Sequence, residues 1–232
     1  MQASLLSLAL NTGNGEFPFD APNIIGGTTA PARKYPFLAA ILGSTLQGPL
    51  AYATCTGSLI TPQWVLTAAH CIGSSEGYVR VGNQVYFGQI DIAQSPDGVN
   101  GAAEGEIAKI VVNPLFSDDD YYSNEGLLQG YDLALLKLKY PVHVQPVLIE
   151  TSPEITQELG RTLATAIGYG LSDVNGGSNQ NLKEVRLPLF PICDCLSLSN
   201  VNAYLPIEDE AASRMTCIRP PQNGAKGTCF GD

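Results

Sequence analysis

His70 is the residue of this sequence that is best suited to acid–base chemistry. It is one of two histidines in 232 residues, and it lies near the end of the run Trp64-Val-Leu-Thr-Ala-Ala-His-Cys71. An imidazole has an ordinary pKa of about 6.5, so it can accept and return a proton near neutral pH. A disulfide at Cys71 would hold the backbone of His70, and a catalytic base needs a fixed position. Because a histidine beside an apolar run is more often a structural residue, His70 alone is only a candidate base.

Asp132 is the second candidate, because a carboxylate can orient an imidazole ring and stabilise its protonated form. It follows His70 by 132 − 70 = 62 positions, in the run Tyr131-Asp-Leu-Ala-Leu-Leu-Lys-Leu138. An aspartate before an apolar run is commonly just a turn residue. We expect a strand here, with Asp132 at its entrance and three leucines as its anchors, namely Leu133, Leu135 and Leu138.

The elements that must position these residues are predicted to be short strands. The 24 glycines and 16 prolines are scattered rather than clustered, which is typical of many strands joined by turns. No long amphipathic helix is evident. The pattern predicts an all-β fold, sandwich or barrel, and does not choose between the two. Besides the runs already given, the strand candidates are Tyr35–Ile41, Tyr78–Gly82, Gln89–Ala93, Ile107–Val112 and Leu182–Leu189, with Pro188 expected at an edge or a strand end.

The charge and the cysteine content limit which classes of partner and which cellular compartment we expect for this protein. The formal net charge is −10, which argues against nucleic acid and anionic membranes because both would repel the chain. No apolar run of about 18 residues is present, so no membrane-spanning helix is expected. Six cysteines favour an oxidising compartment. We expect a secreted, extracellular protein, with residues 1–23 as a signal or pro-segment, although the apolar start has no basic residue before it.

Other polar clusters are expected to carry no chemistry. Cys193-Asp-Cys195 suggests a metal clamp, but no third and fourth ligand with suitable spacing is apparent. Ser117-Asp-Asp-Asp120 could form a calcium site, although a solvated loop is the commoner meaning of such a run. His143 lies in the connection Tyr140–Val147 and is expected to be a surface residue without a catalytic role. We therefore predict no metal and no cofactor.

Four ordered motifs resemble the trypsin/chymotrypsin-like serine proteases. They are the run Cys55–Cys71, the run Tyr131–Leu138, the segment Ile24-Ile-Gly-Gly27 and the segment Gly227-Thr-Cys-Phe-Gly-Asp232. The resemblance covers roughly residues 24–232. It implies two antiparallel six-stranded β-barrels with the site in the cleft between them. The first barrel would span about 24–140 and the second, which is expected to be incomplete, about 141–232.

The resemblance also implies a role for each matching residue. His70 would be the general base and Asp132 its orienting carboxylate. In the family the nucleophilic serine follows directly after Gly231-Asp232, so the chain as it stands is expected to be inactive. The backbone N–H of Gly231 would form half of the oxyanion hole. Activation would come from cleavage after Asn23, which frees the Ile24 amine to pair with Asp232.

Specificity and disulfides follow from the same resemblance. Gly227 occupies the position of the aspartate at the base of the trypsin-like specificity pocket, where Thr228 is its neighbour. A glycine offers no charge for a Lys or Arg side chain, so trypsin-like selectivity is disfavoured. The implied partners are protein or peptide substrates and protein protease inhibitors. The implied disulfide cysteines are Cys55, Cys71, Cys195 and Cys217, with Cys195 and Cys217 as a pair and Cys193 and Cys229 unassigned.

Two other functional classes compete with a secreted serine endopeptidase. One is a catalytically inactive protease homologue that acts as a binding or regulatory protein. The other is a purely structural disulfide domain. The presence of both His70 and Asp132 favours the enzyme, because neither alternative has a chemical need for this pair.

Overall fold

The computed structural model describes residues 27–45, 48–73, 78–88, 103–116, 131–149, 163–169, 182–190 and 217–218. These residues form ten strands and one 3₁₀-helix, with no α-helix among them. The strands are β1 (Thr28–Thr29), β2 (Leu38–Thr45), β3 (Gly48–Thr61), β4 (Trp64–Thr67), β5 (Gln84–Phe87), β6 (Ala103–Val112), β7 (Ala134–Leu138), β8 (Leu163–Gly168), β9 (Lys183–Phe190) and β10 (Cys217–Ile218), and the 3₁₀-helix is Ala69–Cys71. None of the described helical segments has the length and apolarity needed to cross a bilayer.

Six strands close into a barrel in the order β2-β3-β4-β7-β6-β5, and every neighbouring pair is antiparallel. Burial alternates along β4, β5 and β7, in line with the inward and outward faces of a closed barrel. In β7 the inward residues are Ala134, Leu136 and Leu138, while Leu135 is only partly buried. The predicted anchors were therefore wrong in two of three positions, because the strand begins at Ala134 and its period of two selects the even-numbered residues. The all-β prediction is confirmed, and these six strands form a barrel rather than a sandwich.

The barrel interior is packed with apolar side chains that water does not reach. The largest are Phe87, Ile41, Leu59, Ile107 and Leu136, each 0% exposed. Strands β3 and β4 approach closely at Gly57, where an added Cβ would lie 2.7 Å from Val65 Cγ1 and 2.9 Å from the Leu66 carbonyl oxygen. Only glycine therefore fits at this crossing without displacing β4.

The other four strands form an open sheet around β9. Strand β8 pairs with β9 over Lys183–Pro188, β1 pairs with the start of β9, and β10 pairs with its end. Pro188 lies two residues before the end of β9, in line with its prediction. A second cluster packs Leu38 and Ala40 of β2 against Tyr169 and Leu182. Strand β2 is thus buried on both faces, and this second face joins the barrel to the sheet.

The polar contacts between these two parts centre on Glu184 of β9. Lys34 Nζ lies 2.9 and 2.7 Å from the two carboxylate oxygens of Glu184, and the Tyr35 hydroxyl donates to the same carboxylate at 2.6 Å. The side-chain hydrogen bonds from Lys34 and then Tyr35 lower the pKa of Glu184. The turn before β2 is therefore tied to β9 by apolar packing and by charge.

One predicted strand is a turn. In Tyr78–Gly82 only Val79 makes a bridge, to Ile72. Asn83 closes the turn that follows, since its Oδ1 accepts from the Arg80 N–H at 2.6 Å and its own N–H donates to the Arg80 carbonyl at 3.1 Å. Gly82 has a φ of +90°, which a β-strand does not contain. The local turn chemistry therefore overrode the alternating pattern, whereas the candidate Gln89–Ala93 lies outside the described residues.

Candidate active site

His70 is held at the end of β4 by a short helix and a disulfide. Strand β4 ends at Thr67, and His70 is the middle residue of the 3₁₀-helix Ala69–Cys71. Cys71 is bonded to Cys55 of β3, 16 positions earlier. The Ile72 N–H donates to the Ala69 carbonyl at 2.9 Å and closes the turn. The predicted disulfide at Cys71 is confirmed, and it fastens the helix that carries His70 to the barrel wall.

Thr67 makes a second contact that stabilises this segment, and the sequence patterns did not predict it. Its side chain is 6% exposed, and its hydroxyl donates to the Thr56 carbonyl of β3 at 2.9 Å. A hydroxyl among apolar residues is costly to bury without a partner, so this bond stabilises the last residue of β4 in place. The signal in the sequence was a threonine closing an apolar strand three residues before His70.

Asp132 reaches His70 because β7 begins beside the end of β4. Thr67 of β4 pairs with Ala134 of β7, so the residues that follow β4 and precede β7 lie at the same end of the barrel. Asp132 Oδ2 is 2.7 Å from His70 Nδ1, and Asp132 Oδ1 accepts the His70 backbone N–H at 2.8 Å. The carboxylate therefore holds both the ring and the main chain of His70, although only an orienting contact to the ring was expected.

The surroundings keep Asp132 ionised. Its side chain is 12% exposed, whereas that of His70 is 35% exposed. Burial pushes the pKa of Asp132 upwards, but the hydrogen bonds and charge of His70, with a backbone bond from Ala69, outweigh it and lower the pKa below its ordinary value. The carboxylate is thus an acceptor at neutral pH. Since it has no proton to give, Nδ1 of His70 must be the donor in this contact.

This tautomer decides what the pair can do. With the proton on Nδ1, the lone pair of a neutral imidazole is on Nε2. A group whose hydroxyl lies against Nε2 can transfer its proton there, and the resulting imidazolium is stabilised by the adjacent carboxylate. The geometry is therefore that of an oriented general base.

A metal centre does not fit this position. Ligand atoms of Cys55, His70 and Cys71 lie within 4.8 Å of one another. The two sulfurs are bonded to each other, and a metal requires the thiolate form. No other group of three potential ligands occurs in the part of the chain that the structure describes.

Several predicted site residues lie outside the described ranges. They are Ile24, Cys195, Gly227, Thr228, Gly231 and Asp232, and the same holds for Ser117–Asp120, Cys193 and Cys229. Cys217 is described as part of β10, where it pairs with Phe190, so its partnership with Cys195 stays a prediction. His143 is exposed on the connection after β7, as expected of a surface residue.

Comparisons with known proteins agree with this geometry. A family model described as Trypsin matches residues 24–232. "Chymotrypsin-like elastase family member 1" of Felis catus is 31% identical over 221 residues, which cover 94% of this chain and 73% of that protein. The Homo sapiens protein of the same name is 29% identical, covering 94% of this chain and 76% of its own length. "CLIP domain-containing serine protease HP8" of Bombyx mori is 28% identical, covering 90% and 55% respectively.

The family match extends over nearly the whole chain, and the described fold contains the closed six-stranded barrel that the resemblance implied. The residues that the family motifs align, His70 and Asp132, lie in direct contact. This chain belongs to the trypsin/chymotrypsin-like serine protease family.

Proposed function

We propose that this protein is a secreted serine endopeptidase that hydrolyses peptide bonds with a Ser-His-Asp mechanism. The observation that carries the proposal is the contact of Asp132 with both the ring and the backbone N–H of His70. A structural histidine needs one partner for satisfaction, whereas this one is fixed in a single tautomer and orientation. That arrangement is what a general base requires.

The chemistry follows from the tautomer. The serine that the family motif places after Asp232 would give its hydroxyl proton to His70 Nε2 as its oxygen attacks the peptide carbonyl. The backbone N–H groups of Gly231 and of that serine would hold the negative oxygen of the tetrahedral intermediate. His70 would then return the proton to the leaving amine, and water would hydrolyse the acyl-enzyme by the same steps. Asp132 would stabilise the imidazolium throughout and would stay ionised.

Activation and specificity belong to the same proposal. Cleavage after Asn23 would free the Ile24 amine to pair with Asp232, and a buried charge of this kind is tolerated only with a partner. Gly227 and Thr228 would line a specificity pocket without a negative charge. The names of the elastase-like relatives support a preference for substrates with small or apolar side chains before the cleaved bond. Protein inhibitors would bind the same cleft.

The test begins with the transcript, read through the codon after Asp232. A serine codon followed by Gly-Gly-Pro supports the proposal. The complete, activated protein should then hydrolyse peptides with small apolar residues before the cut faster than matched peptides with Lys or Arg. His70→Ala should abolish hydrolysis. Asp132→Asn should lower kcat by roughly 10⁴-fold, because the amide N–H of asparagine can stabilise the wrong tautomer of His70 and no carboxylate remains to stabilise the imidazolium.

Tyr140→Ala is the matched control, since it also truncates a ring but one that is 72% exposed on the surface. It should keep wild-type activity. Activity that survives His70→Ala would overturn the proposal. A codon other than serine would do so too, and it would favour a binding or regulatory homologue.

A further inference from the structure

A cleft lies at the end of the barrel opposite His70. It has a volume of about 390 Å³ and is formed by the turn before β2, the end of β5 and the connection after β7. Because β4 and β2 run in the same direction and β7 and β5 run against them, His70 and Asp132 lie at one end of the barrel. The start of β2, the end of β5 and the end of β7 lie at the opposite end. The cleft is therefore separate from the candidate active site.

The backbone of this cleft is unusual at Arg33. Arg33 has a φ of +63°, and it is the sole non-glycine residue with a positive φ in the ranges that the structure describes. Gly88, across the cleft, has a φ of +68°. Side chains rarely adopt this conformation unless their surroundings impose it, and such positions cluster at binding sites. Both positions contribute to the same cleft.

The lining points to a ligand with a carboxylate. Its two titratable side chains are Arg33 and His143, and Gln145 adds an amide. Among the residues that the structure describes, no acidic residue lines the cleft, although the chain has 22 acidic and 12 basic residues. A guanidinium has five N–H donors in a planar fork that matches a carboxylate, and it can serve more than one acceptor. Pro36 and Val144, which are both partly exposed, supply an apolar wall beside these donors.

The chain contains a segment of matching chemistry. Between residues 1 and 32 the only charged residues are Glu16 and Asp20, and they enclose Phe17-Pro18-Phe19. The seven residue-to-residue steps from Asp20 to Gly27 can span about 25 Å, whereas the six steps from Gly27 to Arg33 span at most about 22 Å. The tether is therefore long enough to fold back onto the cleft. A tether of this length raises the local concentration of the segment to the order of 1 mM.

We propose that the cleft beside Arg33 and His143 binds the acidic-aromatic segment Glu16–Asp20 of the same chain. Its carboxylates contact the guanidinium and the imidazole, and its aromatic rings pack on the apolar wall. Strand β1 begins at Thr28 and pairs with β9, so the segment is anchored on both sides of the Asn23–Ile24 bond. The consequence for activation rests on the proposed function: the bond to be cut is presented in a loop with two fixed ends. The binding itself does not depend on peptide hydrolysis.

The experiment uses the full chain and a fluorescent peptide of residues 13–23, with fluorescence anisotropy as the readout. In the Glu16→Gln/Asp20→Asn chain the tethered segment no longer competes, and the peptide should bind with a Kd on the order of 0.1 mM. In the unaltered chain a tethered competitor at ~1 mM should weaken peptide binding roughly tenfold. A peptide that carries the same Gln and Asn substitutions should bind to neither chain.

Variants of the cleft locate the binding. Arg33→Gln in the Glu16→Gln/Asp20→Asn chain should weaken peptide binding at least about tenfold, and His143→Gln should also weaken it. Arg33→Gly removes the guanidinium and tolerates the positive φ, so it separates lost binding from lost folding. Arg186→Gln changes an exposed arginine on β9 and is the matched control.

Three results would overturn the proposal. Equal peptide binding by the two chains would assign the cleft to acidic peptides from other proteins. Binding that survives both Arg33 variants would place the peptide elsewhere, and no binding by any chain would leave the cleft without this function. None of these outcomes involves catalysis, so the proposed function stands or falls separately.

Discussion

Removal of the Cys55–Cys71 disulfide should destabilise the protein by an amount that its loop length predicts. The bond joins cysteines 16 positions apart and fastens the helix of His70 to β3. In the chain-entropy description a closed loop of n residues lowers the entropy of the unfolded chain by about 2.1 + 1.5R ln n cal/mol/K. For the 16-position separation this gives about 10 cal/mol/K, or about 3 kcal/mol at 25 °C.

The variants are Cys55→Ala, Cys71→Ala and the double variant. Either single substitution already removes the bond, so the free energy of unfolding of all three variants should fall by about 3 kcal/mol. The truncated side chains should add differences of only a few tenths of a kcal/mol. If the two substitutions acted independently, their losses of stability would instead add in the double variant. This non-additivity is the internal control, because it separates loss of a shared bond from loss of two packing contacts.

Urea unfolding at fixed pH is the assay, followed by tryptophan fluorescence. Trp64 is the single tryptophan of the chain and lies in β4, the strand that leads to His70. The midpoint should fall equally for the three variants. A loss below about 1 kcal/mol, or a double variant that costs the sum of the singles, would refute the entropic reasoning.

Three further predictions concern the pair and the barrel core. Hydrogen bonds lower the pKa of Asp132 in the folded protein, so its contribution to stability is present above the unfolded value of about 3.9 and is lost as pH falls through the folded pKa. The urea midpoint of the unaltered protein should therefore fall as the pH drops below about 4, and Asp132→Asn should reduce this fall. An equal fall in the variant would contradict the assignment, because another carboxylate would then be responsible. Leu136→Ala empties a site that is 0% exposed and should cost about 2–5 kcal/mol, against about 0.5 or less for Leu148→Ala, which is 90% exposed. Gly57→Ala places a Cβ 2.9 Å from a β4 carbonyl oxygen and should cost about 1–3 kcal/mol in the same assay. It should cost more than Gly105→Ala, whose nearest neighbour is a side-chain carbon at 3.1 Å, and the reverse order would contradict the packing.

Local patterns predicted the element types but not all of their boundaries. The strands at Ile107–Val112 and Leu182–Leu189 were recognisable because alternation and apolar runs are properties of neighbouring residues. The segment Tyr78–Gly82 was misread as a strand, because the turn there depends on a hydrogen bond that the Asn83 side chain accepts from the Arg80 N–H, and periodicity does not encode such a bond. The cleft beside Arg33 was not predictable, since its walls come from three segments far apart in the chain.

The sequence by itself determined which residues could do chemistry: an imidazole at His70, a carboxylate at Asp132 and cysteines able to form disulfides. Only the tertiary structure decided how they act together. A barrel and a sandwich place inward and outward residues in the same alternation, so the closure of β2 against β5 and the pairing of β4 with β7 lie beyond any local pattern. That pairing brings two residues 62 positions apart to within 2.7 Å, and their contact fixes the ionisation of Asp132 and the tautomer of His70. Charge state and proton position depend on distance and burial, which exist only once the chain has folded.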